Sequence, residues 1–400
     1  MLCEFYDETL EYQENLLVKY YIKHGHEVWV ITSTFDSIFD YYNDKHDPES
    51  PARIYHDRGA KIIKLKYRFN IANRLRAYTK IDGFLAEFKP DLVYVHDIML
   101  NLPECIRFVK MNPASKMILD YHADYSNSGK NALSIKVLHG IIRKWFLDRA
   151  RPHLSRIFPI VPASATFLHE VYDVPLEEME VLPLGADTDL AQDAMNIEER
   201  QSLRLNLGID SSDVVIFTGG KLTPRKRTEL LLKAIGQLPH HKIHVVVAGA
   251  ASNGDQPYYN QLKSLAEGCH NIHFLGWLNP RDVYRYLNIC DLAVFPSSQS
   301  ILWQQAIAMG LPLIAGDDGH QDISYLNFGG NIIVLTQKQI SVAGLIYTLE
   351  EILAEPGRLF SMGQAALAVA SNHLDWNKLI LRTLQFNPPQ SGVELVTGNS

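Results

Sequence analysis

Four cations crowd one short stretch of this chain. Between Asp213 and Leu238, reading DVVIFTGGKLTPRKRTELLLKAIGQL, Lys221, Arg225, Lys226 and Arg227 follow the pair Gly219–Gly220 and lead into a helical run. Thr223 then Pro224 has the residue types of a helix start, a side-chain cap followed by a residue of fixed φ. Cations placed there oppose the helix dipole, which favours anions, and a phosphate-bearing ligand would resolve the conflict. A solvated basic loop is the other reading. Phe295–Pro312, FPSSQSILWQQAIAMGLP, offers a second anion cradle: Ser298, Gln299, Ser300 and Ile301 lead into a helix that carries Gln304 and Gln305 on an apolar background. Plain capping by Ser297, Ser298 or Ser300 is the alternative there. A third loop, AGDDGH (Ala315–His320), follows a buried strand and could close over a ligand.

The first half of the chain places different chemistry at similar positions. DYHADYSNSG (Asp120–Gly129) sets His122, Asp124, Ser126, Asn127 and Ser128 behind a strand, and His96 with Asp97 ends the strand before it. A histidine there can act on a sugar or polarise a reacting group, although a lone histidine is more often structural. Asp187–Thr188–Asp189 resembles a metal-binding pair, but its position favours a capped turn. The four cysteines, Cys3, Cys105, Cys269 and Cys290, form no CxxC pair and have no histidine at ligand spacing, so no metal site is expected and a reducing cytoplasm fits. Walker, GxGxxG and Gly-x-Ser-x-Gly motifs are absent from the sequence.

Strand and helix must alternate to carry these loops. In the first half His26–Ser33, Lys61–Leu65, Asp91–His96, Lys116–Tyr121, Ile157–Val161 and Glu180–Pro183 read as strands. Tyr12–His24, Ile71–Phe88 and a basic segment at Ile135–Ala150 read as helices. Met1–Phe5 looks like the end of a strand, so either a start upstream or a short, weakened central strand is expected. Intact-mass measurement on native protein would decide between them. In the second half the strands are Val214–Phe217, Ile243–Ala248, Ile272–Phe274, Leu292–Phe295, Leu313–Ala315 and Ile332–Leu335. This βαβα rhythm predicts an α/β protein of two doubly wound, Rossmann-like domains. The expected boundaries are 1–186, a linker at 187–212, a second domain at 213–370, a C-terminal helix at 371–387 packing back on the first domain, and a disordered tail at 388–400.

Composition sets limits on partners. With 400 residues, 46% hydrophobic and 21% charged, and a net charge of −7, the chain is globular and no general nucleic-acid binder. Its apolar runs are too short to cross a bilayer. Positive charge nevertheless gathers at Arg68, Arg74 and Arg76 and again at Arg143, Lys144, Arg149, Arg151 and Arg156, beside Trp145, Phe146 and Leu147. Peripheral contact with anionic lipid is one reading of this face, a solvated surface the other.

Taken together, these segments resemble the GT-B fold glycosyltransferases, in particular the family-4 retaining enzymes that use nucleotide-diphosphate sugars. GGKLTPRKR resembles the family's Gly-Arg-x-x-x-x-Lys segment, with Lys221 and Lys226 at the two basic positions. DLAVFPSSQSILWQQAIAMGLPLIA resembles its Pro-Ser segment and following helix, VLPLGADTDL its stretch before the linker, and DYHAD the segment with its active-site histidine. The resemblance implies His122, Lys221 and Lys226 as catalytic groups. It implies Gly219, Gly220, Lys221, Lys226, Ser298, Gln299, Ser300, Ile301 and Gln305 as donor-binding residues. The acceptor would meet Tyr12 and Gln13 of the Leu10–Glu14 loop, with His96 and Asp124. No metal or cofactor is implied; a nucleotide-diphosphate sugar serves as co-substrate. The acceptor would be a glycan or lipid-linked molecule of surface polysaccharide synthesis at the inner face of the plasma membrane.

One departure stands out. The family's two glutamates, separated by seven residues, fall on Ser297 and Gln305. Glutamine can still serve a ribose as donor and acceptor, but serine is a weak substitute at the sugar, where Gln299 or Ser300 would take over. A nucleotide-sugar epimerase of the same fold, or a non-catalytic relative that binds a nucleotide sugar, are the rival readings.

Overall fold

The computed structural model describes residues 1–35, 51–71, 74–125, 127–128, 131–238, 242–319 and 322–386. The last residue of the expected 371–387 helix and the tail at 388–400, like Ser126, Gly129 and His320, lie outside the described residues.

The first lobe is built on strands β1 (Trp29–Ser33), β2 (Arg53–Asp57), β3 (Ala60–Leu65), β6 (Leu92–His96), β7 (Lys116–Tyr121) and β8 (Arg156–Pro159), with β4 (Tyr67–Ile71) and β5 (Leu75–Tyr78) as a separate hairpin. The order is β2-β3-β1 and β6-β7-β8, parallel throughout except for β2 against β3. One residue joins the two triplets. Leu2 bridges Ile31 of β1 and Val95 of β6, and its N–H donates to Tyr94 O at 2.8 Å while its carbonyl accepts from His96 N at 2.9 Å. The short central strand expected at the N-terminus is therefore a single bridging residue, buried on both sides.

The second lobe is one parallel six-stranded sheet. Strands β9 (Val214–Gly219), β10 (Ile243–Ala248), β11 (Ile272–Gly276), β12 (Leu292–Phe295), β13 (Leu313–Gly316) and β14 (Ile332–Leu335) lie in the order β11-β10-β9-β12-β13-β14. The order reverses at β9, with β10 on one side and β12 on the other, so the crevice beyond their carboxyl ends is the natural ligand site. Unbroken apolar runs such as Val215–Phe217 are buried on both faces by helices.

Two expectations need correction, and a third gains detail. Ile71–Phe88 is not one helix: it holds the end of the β4–β5 hairpin and a short helix at Asp82–Phe88. Tertiary pairing overrides helical periodicity there, because Tyr67 and Tyr78 stack at 5.1 Å and the buried Tyr78 hydroxyl donates to Cys3 O at 2.5 Å. Glu180–Pro183 forms no regular strand, although the segment runs beside β8: Met179 bridges Ile157, and the N–H groups of Glu180 and Leu182 donate to Ile157 O and Pro159 O, each at 3.0 Å. The 187–212 region, read as the linker, is largely helical. Helices Thr188–Ala194 and Ile197–Asn206 pack on the second lobe, where Arg200 and Arg204 hold Asp291 at 2.7 and 2.6 Å.

The C-terminal helix Trp376–Thr383 crosses back to the first lobe. Trp376, Leu379 and Ile380 share a core with Leu16, Leu17 and Tyr20 of the first helix, Gln13–Lys23. The basic segment is π-helical over Ser134–Arg143 and α-helical over Lys144–Ala150. Its cations differ in what they do. Arg76 is buried against Glu4, Lys144 pairs with Asp148 and Asp173, Arg151 with Glu178, and Arg156 is turned inward near Glu180. Arg68, Arg74, Lys136 and Arg149 remain exposed.

Candidate active site

Glycine governs how closely the loops above β9, β10 and β12 can approach. A Cβ on Gly219 would sit 2.0 Å from Ala248 O, and Gly220 adopts φ +103°, which side chains resist. The space left over Gly220 is bordered by Ser300 Oγ, Leu302 Cδ1 and Lys226 Cε, within 3.3 to 4.0 Å of where its Cβ would be. Donor-side residues from three separate segments thus converge on one glycine turn.

The basic stretch does not fold as one helix. Pro224–Lys226 is a 3-10 turn, Arg227 takes a left-handed φ of +51°, and the α-helix begins only at Thr228. Thr223 makes no side-chain cap, so the expected start there is corrected: the left-handed Arg227 interrupts the helical path. Arg225 and Lys226 consequently project from a turn ahead of the helix. Lys226 Nζ donates to Gln299 O at 2.6 Å and approaches Ser298 O at 3.5 Å, tying the basic turn to the serine loop. Burial, with Arg225 nearby, lowers the Lys226 pKa to about 8. Lys221 is exposed on the same rim.

The serine loop is polar and internally bonded. Ser298 stands at φ +61°, a left-handed conformation that turns its carbonyl loop toward Lys226. Ser297 and Ser298 cap nothing; Ser300 Oγ accepts only a long bond from Leu302 N at 3.4 Å. Ile301 precedes the helix Leu302–Ala308. Gln304 and Gln305 are both buried, not on a wet face. Gln305 Oε1 has no partner, an orphaned acceptor of the kind a bound hydroxyl would satisfy. Two residues that sequence reasoning did not single out join this loop. Asp318 accepts from Ser297 Oγ at 3.2 Å, and Tyr325 Oη lies 3.2 Å from Gln299 Nε2 and 3.3 Å from Gln304 Nε2.

In the first lobe the strand register assembles the site. β6 and β7 pair with His96 opposite Asp120, and residues two apart on a strand share a face. Tyr94 and His96 of β6 therefore lie beside Asp120 of β7 and His122 just past it. Asp120 Oδ2 is 2.9 Å from His96 Nδ1, 3.3 Å from His122 Nε2 and 3.0 Å from Tyr94 Oη. The 3.3 Å contact is an ion pair rather than a well-aligned hydrogen bond, since Nε2 lacks a partner of good geometry. Burial alone would discharge His122, but Asp120, with Asp97 and Glu14, outweighs it and lifts the pKa to about 9. Asp97, at φ +58°, accepts the His122 N–H at 2.9 Å and fixes the loop.

The remaining acceptor-side residues lie nearby in the chain but play different parts. Gln13 is buried with both amide atoms unpartnered. Tyr12 precedes the first helix, its N–H bonding Asn15 Oδ1 at 3.3 Å. Asp124 is buried and accepts from Asn127 N at 3.1 Å, which shapes the His122 loop. Glu14, not singled out before, is held above the usual carboxylate range by burial, opposed by His96 and His122. Asp120 was missed as well, although the i, i+2 spacing of DYH signals that it shares a face with His122.

Comparison with known proteins fits both lobes. Residues 15–190 match the model of "Glycosyltransferase Family 4", and residues 199–359 that of "Glycosyl transferases group 1". The chain belongs to the GT-B glycosyltransferases. The two lobes, each built on parallel strands, are consistent with the two Rossmann-like domains of that fold. This glycosyltransferase chain is 26% identical over 219 residues to the D-inositol 3-phosphate glycosyltransferase of Rhodococcus erythropolis, covering 52% of the chain and 48% of that relative. It is 27% identical over 212 residues to the GDP-mannose-dependent monoacylated alpha-(1-6)-phosphatidylinositol monomannoside mannosyltransferase of Corynebacterium glutamicum, covering 49% and 52%. The chain thus spans about half the length of the curated relatives it matches. Among solved structures, sucrose-phosphate synthase of Thermosynechococcus elongatus superposes with a TM-score of 0.66 at 16% identity, covering 96% of each chain. HepE of Anabaena in complex with UDP and glucose does so at 0.63 and 17%, covering 96% and 98%.

Proposed function

We propose that this protein transfers a hexosyl group from a nucleotide-diphosphate sugar to a glycan or lipid-linked acceptor, with retention of configuration. The observation that carries the reading is the Lys226 bridge. A half-buried ammonium with a lowered pKa, held by backbone carbonyls above a glycine turn at the sheet's switch point, suits a diphosphate that replaces those carbonyls. Lys226 and Lys221 then offset charge on the departing nucleoside diphosphate, an electrostatic role that asks no metal of the site. Transfer unaffected by EDTA is expected. Ser298, Gln299, Ser300, Ile301 and Gln305 hold the donor, and His122, His96, Asp124, Tyr12 and Gln13 face the acceptor. Cytoplasm suits four free thiols, and a role in surface polysaccharide synthesis follows from the family resemblance.

The reading includes a seat on the inner face of the plasma membrane. Leu133, Val137, Ile141 and Trp145 are exposed at four-residue spacing along the basic helix, beside Lys136 and Arg149. An exposed apolar stripe flanked by cations suits superficial contact with anionic lipid; among the described residues no helix is long and apolar enough to cross a membrane.

Lys226→Ala tests the proposal. Isothermal titration with UDP, and a thermal-shift screen of nucleotide-diphosphate sugars, should show nucleotide affinity weakened at least tenfold and transfer abolished. Unchanged affinity would remove Lys226 from the donor site. Conversion of the donor sugar without any acceptor would point instead to an epimerase.

A further inference from the structure

One carboxylate underlies the His122 loop. Asp120 is fully buried at the end of β7, and a single oxygen of it takes Tyr94, His96 and His122 together. We infer that Asp120 is a positioning residue: its charge draws His122 Nε2 to the carboxylate, 3.3 Å away, and leaves Nδ1–H as the donor offered to substrate. The inference rests on the reading that His122 touches substrate.

The argument is geometric first. A carboxylate oxygen has no hydrogen to give, so a ring nitrogen beside it must carry the proton. Nε2 is enclosed beside the carboxylate, while the side chain as a whole keeps 31% of its surface. Asp97 accepts the backbone N–H of His122 and so fixes the stretch of chain from which the ring projects. Asp120, Asp97 and Glu14 face the ring with negative charge, and His96 is the neighbouring base on the same carboxylate. With a pKa of about 9, the imidazolium exceeds the neutral form roughly a hundredfold at pH 7. Such a ring does not accept a proton. It donates a charged hydrogen bond, either to a sugar hydroxyl or to an oxygen gaining negative charge.

Histidine titration by NMR on the full chain tests this without any substrate. The protein carries 16 histidines, and [13Cε1]-histidine labelling with His122→Gln identifies the resonance. The expected wild-type midpoint lies near 9. In Asp120→Asn, which keeps the shape but removes the charge, the midpoint should fall below about 8, a tenfold loss of protonation at fixed pH. Tyr94→Phe removes only a neutral donor and should keep the midpoint high. A wild-type midpoint at or below 6.5, or one that Asp120→Asn leaves in place, overturns the inference. If Asp120→Asn does not fold, the wild-type titration still decides. Where donor turnover is measurable, the alkaline limb of kcat should shift down in Asp120→Asn while donor KM holds. Absence of turnover in every variant would count against glycosyl transfer and leave the titration result standing.

Discussion

Lys226 directs its ammonium at two backbone carbonyls, those of Ser298 and Gln299. Its pKa is depressed from the ordinary lysine value to about 8, so near pH 8 a substantial fraction of the free protein lacks that proton. A diphosphate favours the charged form, and binding must then take up a proton. Calorimetry with UDP at pH 8 in two buffers of different ionisation enthalpy should show this uptake, and affinity should decline as pH rises through 8. The uptake should vanish in Lys226→Ala. Lys226 was legible in the sequence because no fold requires so many cations ahead of a helix. Asp120, Glu14, Asp318 and Tyr325 were harder to see. Each acts through a neighbour brought close by strand register or by a loop from another segment, and neither is visible in a linear reading of charge.

Elements carry these residues with little slack. The ends of β9 and β10 meet so closely that Gly219→Ala would drive a methyl into Ala248 O, 2.0 Å away. Backbone must move to relieve it, and a loss of about 2 kcal/mol or more is expected. A lower melting temperature with weaker UDP binding would check this; an unchanged melting temperature would mean the strand ends yield freely. The alternation of buried strands and helices was plain from apolar periodicity, and all six strands of the second lobe were found within two residues. The β4–β5 hairpin was not. Its residues lack a turn dipeptide, and what holds them is distant: the Tyr67–Tyr78 stack, the Tyr78 bond to Cys3, and Arg76 on Glu4. The break at Arg227 was equally hidden, since residue type alone does not announce a left-handed arginine.

At the scale of the whole molecule, charge and apolar surface are distributed unevenly. The chain is acidic overall, yet exposed Arg68, Arg74, Lys136 and Arg149 surround the Leu133–Trp145 stripe, and Arg149 lies 3.4 Å over the Trp145 ring. Wild-type protein should float with phosphatidylcholine vesicles that contain phosphatidylglycerol and not with phosphatidylcholine alone. Each cation near such a surface contributes about 1 kcal/mol, so Arg68→Glu with Lys136→Glu should reduce flotation more than tenfold, and Ile141→Asp should do likewise. Equal flotation with neutral vesicles would exclude an electrostatic seat. Away from that face, the lobes are joined by a clasp at Asp187. Its carboxylate takes Lys19 and Tyr20 of the first helix and caps Leu190, while its N–H donates to Tyr284 Oη of the second lobe at 2.9 Å. Beside it, a side chain on Gly185 would strike Leu374 O at 2.6 Å. If the lobes swing to enclose substrate, this contact between them is the fulcrum. The fulcrum would therefore set a rate rather than an affinity: loosening it with Asp187→Asn should leave UDP binding intact while changing how quickly the cleft reopens, which stopped-flow release of a fluorescent nucleotide would time.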